Sequence, residues 1–105
     1  MEQVPLDVEV VGQSESRCLI ATGELDLAGV PALDAALLNA ERAHVREVVL
    51  DLRGVTFIDS SGIRCVLDAY HRCRRRGADL RILPGLEAGV VFRLAGLAGR
   101  LPFVV

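Results

Sequence analysis

The sequence predicts an α/β fold: one domain over residues 1–105 with a mixed sheet of four to five strands, parallel in the centre and antiparallel at its N-terminal edge, and helices packed against it. Three observations predict it. Residues 6–10 and 17–22 read as two strands separated by a short turn, which makes an antiparallel hairpin. Two helix-periodic segments then link the second strand to apolar runs at 47–52 and 80–83, and strands joined by helical crossovers run parallel. Finally, 105 residues, 51% of them hydrophobic and 25% charged, suffice for one buried core and are too few for two.

Each element has its own signal. Leu6, Val8 and Val10 alternate with Asp7 and Glu9, the period of a strand with one wet face. The stretch 12–16 is a turn, and Arg17–Thr22 is the second strand, ended by Gly23. Glu24-Leu25-Asp26 then connects to a helix in which Pro31 suits the first turn and Val30, Leu33, Leu37 and Leu38 form the apolar face to about Ala43. Glu47–Leu52 is apolar almost without a break, as expected of a strand buried on both faces. A short loop over 53–58 leads to Asp59-Ser60-Ser61-Gly62 and a second helix, whose core side is expected to hold Ile63, Val66, Leu67, Tyr70 and Cys73, with Asp68, Arg72 and Arg75 outside. Arg72, Arg74, Arg75 and Arg76 close that helix before Gly77, where cations stabilise the negative end of the helix dipole and glycine ends the helix. Leu80–Leu83 is a fourth strand, Pro84-Gly85 a turn, and Glu87–Leu94 a short third helix. Leu101–Val105 suits only an edge strand, because Pro102 lacks the amide a central strand needs.

Composition excludes several functions. The net charge of −2 offers no bulk attraction to nucleic acid or to an anionic membrane. The chain holds twelve arginines and no lysine, so a Walker A loop, which needs its lysine, is ruled out. Cys18, Cys65 and Cys73 lack metal-ligand spacing and read as buried free thiols of a reducing compartment. The first residues have no signal-peptide pattern, and Arg93 and Arg100 interrupt the apolar C-terminal third. The expectation is a cytoplasmic protein with no cofactor and no metal.

The chemistry concentrates at 59–63. Ser60 and Ser61 stand at a helix N-terminus, where orphan amides and the positive end of the dipole favour a negative group. Two readings are open: a serine N-cap, or a hydroxyl placed to carry a phosphate, which adds about two negative charges. Parallel pairing puts the C-terminal ends of strands two and three on one edge of the sheet, so Asp26 should converge there with Asp59, Ser60 and Ser61. Asp59 also suits a helix cap, and Asp26 an Asx turn.

The run Val48-Val49-Leu50-Asp51-Leu52-Arg53-Gly54-Val55-Thr56-Phe57-Ile58-Asp59-Ser60-Ser61-Gly62-Ile63, together with Gly23-Glu24-Leu25-Asp26, resembles the signature of STAS domains of the anti-sigma-factor antagonist family. The likeness extends from about Val4 to the C-terminus. It implies a protein that binds an anti-sigma factor acting also as a serine kinase, and so releases a sigma factor. It further implies phosphorylation of the second serine, Ser61, which ends the interaction, and a phosphatase that restores it. The implied partner-binding residues are Asp26, Asp59, Ser60, Ser61, Gly62 and Ile63. An alternative within the same fold is a stand-alone scaffold subunit of a stress-signalling or lipid-transport complex. A serine hydrolase is a remote alternative: His71 lies about 15 Å along the helix by helical rise, His44 belongs at the opposite sheet edge, and the Gly-x-Ser-x-Gly elbow is missing.

Overall fold

The computed structural model describes residues 3–12 and 14–104. Strands β1 (Asp7–Gly12), β2 (Ser16–Leu25), β3 (Glu47–Ile58) and β4 (Asp79–Leu83) form one sheet in the order β1-β2-β3-β4. The pair β1–β2 is antiparallel, and the pairs β2–β3 and β3–β4 are parallel. Helices α1 (Val30–Arg42) and α2 (Ser60–Arg75) supply the crossovers, and α3 (Gly85–Leu94) follows β4. The element order through α3 is the expected one.

Register explains the core. The rows Arg17–Val48–Leu80 and Leu19–Leu50–Ile82 lie on one face of the sheet. Leu19, Leu50 and Ile82 are fully buried there, under Leu33, Leu37 and Ala40 of α1 and Cys65, Val66, Ala69 and Cys73 of α2. The opposite face is only partly covered: Cys18, Ile20 and Val49 are half-buried. The expected burial of β3 on both faces is therefore corrected to one closed face and one partly open face. The buried stripe of α2 is also shifted from the expected one, with Gly62, Cys65, Val66, Ala69 and Cys73 inside and Ile63, Leu67 and Tyr70 half-buried at its flank. Cys18, expected to be buried, is half-buried.

Two strands run longer than expected. Gly23 does not end β2. The strand passes through it at φ 103°, a conformation that glycine adopts without steric cost. The segment 53–58 is not a loop but the second half of β3, two residues longer than its partner. The pairing absorbs the surplus in two register shifts, between Ile20 and Thr22 and between Gly23 and Glu24. Bulges break side-chain alternation, so Arg53, Gly54, Thr56 and Phe57 are exposed while Val55 and Ile58 remain buried.

Helix α3 packs on β3, with Gly85 beside Arg53, and begins two residues earlier than expected. Phe92 is buried, with its ring 5.2 Å from that of Phe103. The C-terminal segment is not a strand. Phe103 makes a single parallel bridge to Ile82, and Val105 lies outside the described residues, as do Met1, Glu2 and Gln13.

Asp51 is the one buried charged residue of the described chain. Its carboxylate accepts from the Arg53 amide (3.0 Å), Nε (3.0 Å) and Nη2 (2.9 Å). The Arg53 side-chain hydrogen bonds hold this carboxyl below the usual carboxylate range, although burial alone would raise it. A lowered folded-state pKa stabilises above the unfolded value of about 3.9, and that contribution disappears as pH falls through the folded value. Because Arg53 is largely exposed, solvent screens the pair, and Asp51→Asn should cost about 1 kcal/mol at pH 7. Urea titrations at stepped pH should show that difference shrinking toward zero below about pH 4.

Candidate functional site

Leu25, the last residue of β2, pairs with Ile58, the last of β3, so both strands deliver the chain to one edge of the sheet. From there the two exits diverge into α1 and α2. The Asp59 amide donates to the Leu25 carbonyl at 3.4 Å. Gly62 lies so close that a β-carbon on it would stand 2.5 Å from that carbonyl oxygen and 2.8 Å from Ile58 Cγ1. Glycine is required there by close approach, not by backbone conformation, and α2 is clamped by its first turn onto the end of β2.

Asp59 is the N-cap of α2. Its Oδ1 accepts from the amides of Ser61 (2.9 Å) and Gly62 (3.2 Å). The serines are thus released from capping: Ser60 is exposed and Ser61 half-buried, and neither hydroxyl has a hydrogen bond within the described chain. Asp26 caps the other exit. Its Oδ1 accepts from the Gly29 amide at 2.8 Å, and its carbonyl accepts from Gly29 (3.0 Å) and Val30 (2.9 Å). The side-chain bond reaches three residues on, where the expected Asx turn would reach two, and holds the turn that leads into α1.

The expected convergence of Asp26 with the serines is met at the level of backbone. The side chains part. Ser61 lines an open groove of about 280 Å³ with Leu27, Val30 and Asp34 on one side and Arg64, Asp68 and Arg72 on the other. Asp26 lines a separate depression with Val4, Pro5, Leu6 and Glu24. Ile63 is half-buried against the core.

Two residues of this surface went unnoticed in the sequence, and a third lies elsewhere than expected. Leu27 is 75% exposed beside Ser61, and Phe57 is 50% exposed at the end of β3. Leu27 could have been noticed as an apolar residue in a connection, out of phase with the helix that follows. Arg72 was expected outside. It is instead half-buried between the helices, 3.6 Å from Asp34 and 3.5 Å from Glu41 of α1. Two more of the run make contacts within the fold: Arg76 Nη1 donates to the Val45 carbonyl at 2.6 Å, and Arg74 Nη1 to the Tyr70 hydroxyl at 2.9 Å, while Arg75 is exposed.

Beneath the groove, burial and then Asp34 push the Cys65 thiol up to about 12, so it stays protonated at neutral pH and is no nucleophile. Neither histidine lines the groove. His44 sits in a depression with Arg46, Arg76 and Gly77, beyond the C-terminal ends of α1 and α2, and the exposed His71 stacks tilted on Tyr70 at 5.5 Å. No helix of the described chain is long and apolar enough to cross a membrane.

A small mixed sheet with helical crossovers that presents a serine pair at a helix start, beside an exposed apolar loop, defines a small α/β module. The chain belongs to the STAS domain family, whose model matches residues 7–98. Its fold is shared with an anti-sigma factor antagonist from Mycobacterium paratuberculosis, at TM-score 0.81 and 21% identity over 93% of this chain and 84% of that one. The anti-sigma factor antagonist SpoIIAA in its unphosphorylated form matches at TM-score 0.76 and 22% identity, over 95% and 88% of the two chains. Its phosphorylated Bacillus form matches at TM-score 0.70 and 22% identity, over 95% and 91%. The protein Mglu is 27% identical with a TM-score of 0.63 over 70% of this chain, but the match spans only 18% of Mglu.

Four substitutions test this arrangement. Gly62→Ala should destabilise the fold by about 2–3 kcal/mol, the usual scale of overpacking. Asp59→Ala should cost about 1 kcal/mol through the lost cap, whereas Ser60→Ala and Ser61→Ala should each stay within about 0.5 kcal/mol. Denaturant midpoints on the four variants check the ranking. A serine variant as costly as Asp59→Ala would mean that the hydroxyl, not the carboxylate, caps α2.

Proposed function

We propose that this chain is an anti-sigma-factor antagonist. It binds an anti-sigma factor that is also a serine kinase, in the cytoplasm, and thereby releases the sigma factor. Phosphorylation of Ser61 switches it off, and a phosphatase restores it. The observation that carries the proposal is the state of Asp59-Ser60-Ser61-Gly62: the aspartate satisfies the helix start by itself, so the serine hydroxyls have no structural duty. The neighbouring Leu27 and Phe57 supply the exposed apolar area that interface cores favour. The match to SpoIIAA, solved in unphosphorylated and phosphorylated forms, supports the same reading.

In the transfer step, Ser61 Oγ attacks the γ-phosphorus of ATP. The new O–P bond forms as the bond to ADP breaks, and the hydroxyl proton passes to a base on the kinase. Ser61 is preferred over the more exposed Ser60 because it faces the groove shared with α1. A phosphate on Ser61 would fill that groove and alter the docking face, whereas one on Ser60 would stand in solvent. With Asp59 at the same helix start, a dianion on this face adds to negative charge already there, is repelled by acidic groups of a partner and is costly to desolvate.

Incubation with the cognate kinase and ATP should add one phosphate, at Ser61, as read by phosphopeptide mapping; modification at Ser60 or Ser14 instead would defeat the assignment. Ser61→Ala should block modification and retain binding. Ser61→Asp should melt near wild type, since an acid in the first turn suits the dipole. It should nevertheless lose about 2 kcal/mol of partner affinity, roughly thirtyfold in Kd. Leu27→Ala should weaken the complex by roughly tenfold without changing the melt. Equal affinities for Ser61→Asp and Ser61→Ala would overturn the electrostatic switch.

A further inference from the structure

A phosphate on Ser61 cannot simply settle on the helix N-terminus. The Ser61 and Gly62 amides that would receive it already donate to Asp59 Oδ1, at 2.9 and 3.2 Å. The Ile63 amide donates to the Asp59 carbonyl. A dianion at this position therefore meets a carboxylate where free donors would be expected, and it needs another cation.

Two arginines line the groove with Ser61. Arg72 is held between Asp34 and Glu41 at 3.6 and 3.5 Å. Arg64 is exposed and forms no ion pair among the described residues, despite Asp68 four positions on. It is three residues after Ser61 on the same helix, a spacing that brings Cβ atoms to about 5–6 Å. Helical side chains lean toward the N-terminus, so the patch that Arg64 covers is the turn containing Ser61. Its guanidinium fork also matches two phosphate oxygens at once.

We propose that Arg64 receives the phosphate of phospho-Ser61 within the same chain, a pairing that rests on Ser61 being the modified serine. The pair turns the phosphate away from Asp59 and over the groove toward Leu27 and α1. It lets the modified chain keep its fold while about one negative charge remains uncompensated at the docking face. It also removes Arg64, the one groove cation without an ion pair among the described residues, from any contact with a partner.

The test is made on the full chain with phosphoserine installed at position 61 during synthesis, so that no kinase is needed. Phosphorus NMR follows the second phosphate ionisation, ordinarily near pH 6, in wild type, Arg64→Gln and Arg64→Lys. The N-cap Asp59, Asp68 of α2 and Asp34 of α1 raise this pKa, Arg64 and Arg72 lower it, and the Cys65 thiol is neutral throughout. Only Arg64 changes among the three proteins. The expected result is a pKa at least about half a unit higher in Arg64→Gln than in wild type, with Arg64→Lys between them. Coincident titrations of wild type and Arg64→Gln would overturn the pairing. Because Arg64 is exposed, the unphosphorylated variants should melt as wild type does. The assignment of Ser61 as the kinase's target fails separately, by phosphopeptide mapping, and leaves this titration unaffected.

Discussion

The contact on which the site depends is the approach of Gly62 to the carbonyl of Leu25. Parallel pairing of β2 and β3 brings both strand ends to one edge, but that alone leaves the first turn of α2 free to lift away. With no side chain at position 62, the turn closes onto the end of β2, and the Asp59 amide reaches the same carbonyl. The loop that starts at Asp26 and the turn that starts at Asp59 are thereby held side by side. The groove between α1 and α2, with Ser61 at its mouth, follows from that closure. A larger residue at 62 would disturb docking surface and fold together.

Capping divides the labour among four polar residues. Asp59 and Asp26 each spend their carboxylate on backbone amides, one at the start of α2 and one before α1. Aspartate is a strong choice for this, because its charge also suits the positive end of a helix dipole. The outcome leaves Ser60 and Ser61 without backbone partners. A hydroxyl that caps a helix would have to break that bond to become a phosphate ester, at some cost in stability. One that caps nothing can be modified with little effect on the fold. The same economy means that the helix start has few amides left for an added anion, which shifts attention to side-chain cations along the groove.

The opposite end of the helices is arranged for stability. Arg72 ties α2 to α1 through Asp34 and Glu41, and Arg76 reaches the Val45 carbonyl where the chain leaves α1 for β3. Arg76 is thus matched by a backbone carbonyl and Arg72, which also lines the groove, by two carboxylates, so neither is left free for an external anion. His44, at φ 55°, belongs to that end. The polarity of the crossovers, with helix starts at one edge and helix ends at the other, thus separates the modifiable face from the structural one.

The sequence by itself determined the order of elements, the antiparallel first pair, the parallel remainder and the Asp-Ser-Ser-Gly word at a helix start. These are legible because they rest on local periodicity, on turn residues and on the rule that helical crossovers join parallel strands. Tertiary structure decided the rest. β3 runs through Arg53–Ile58 because two bulges let it follow β2, and a bulge erases the alternation by which a strand is recognised. Which of Asp59, Ser60 and Ser61 caps α2 depends on the path by which the chain leaves β3, and all three are acceptable caps by residue type. The fate of Arg72 and the exposure of Leu27 depend on how α1 and α2 meet side by side. That contact joins residues some thirty or more positions apart, and no pattern within either helix encodes it.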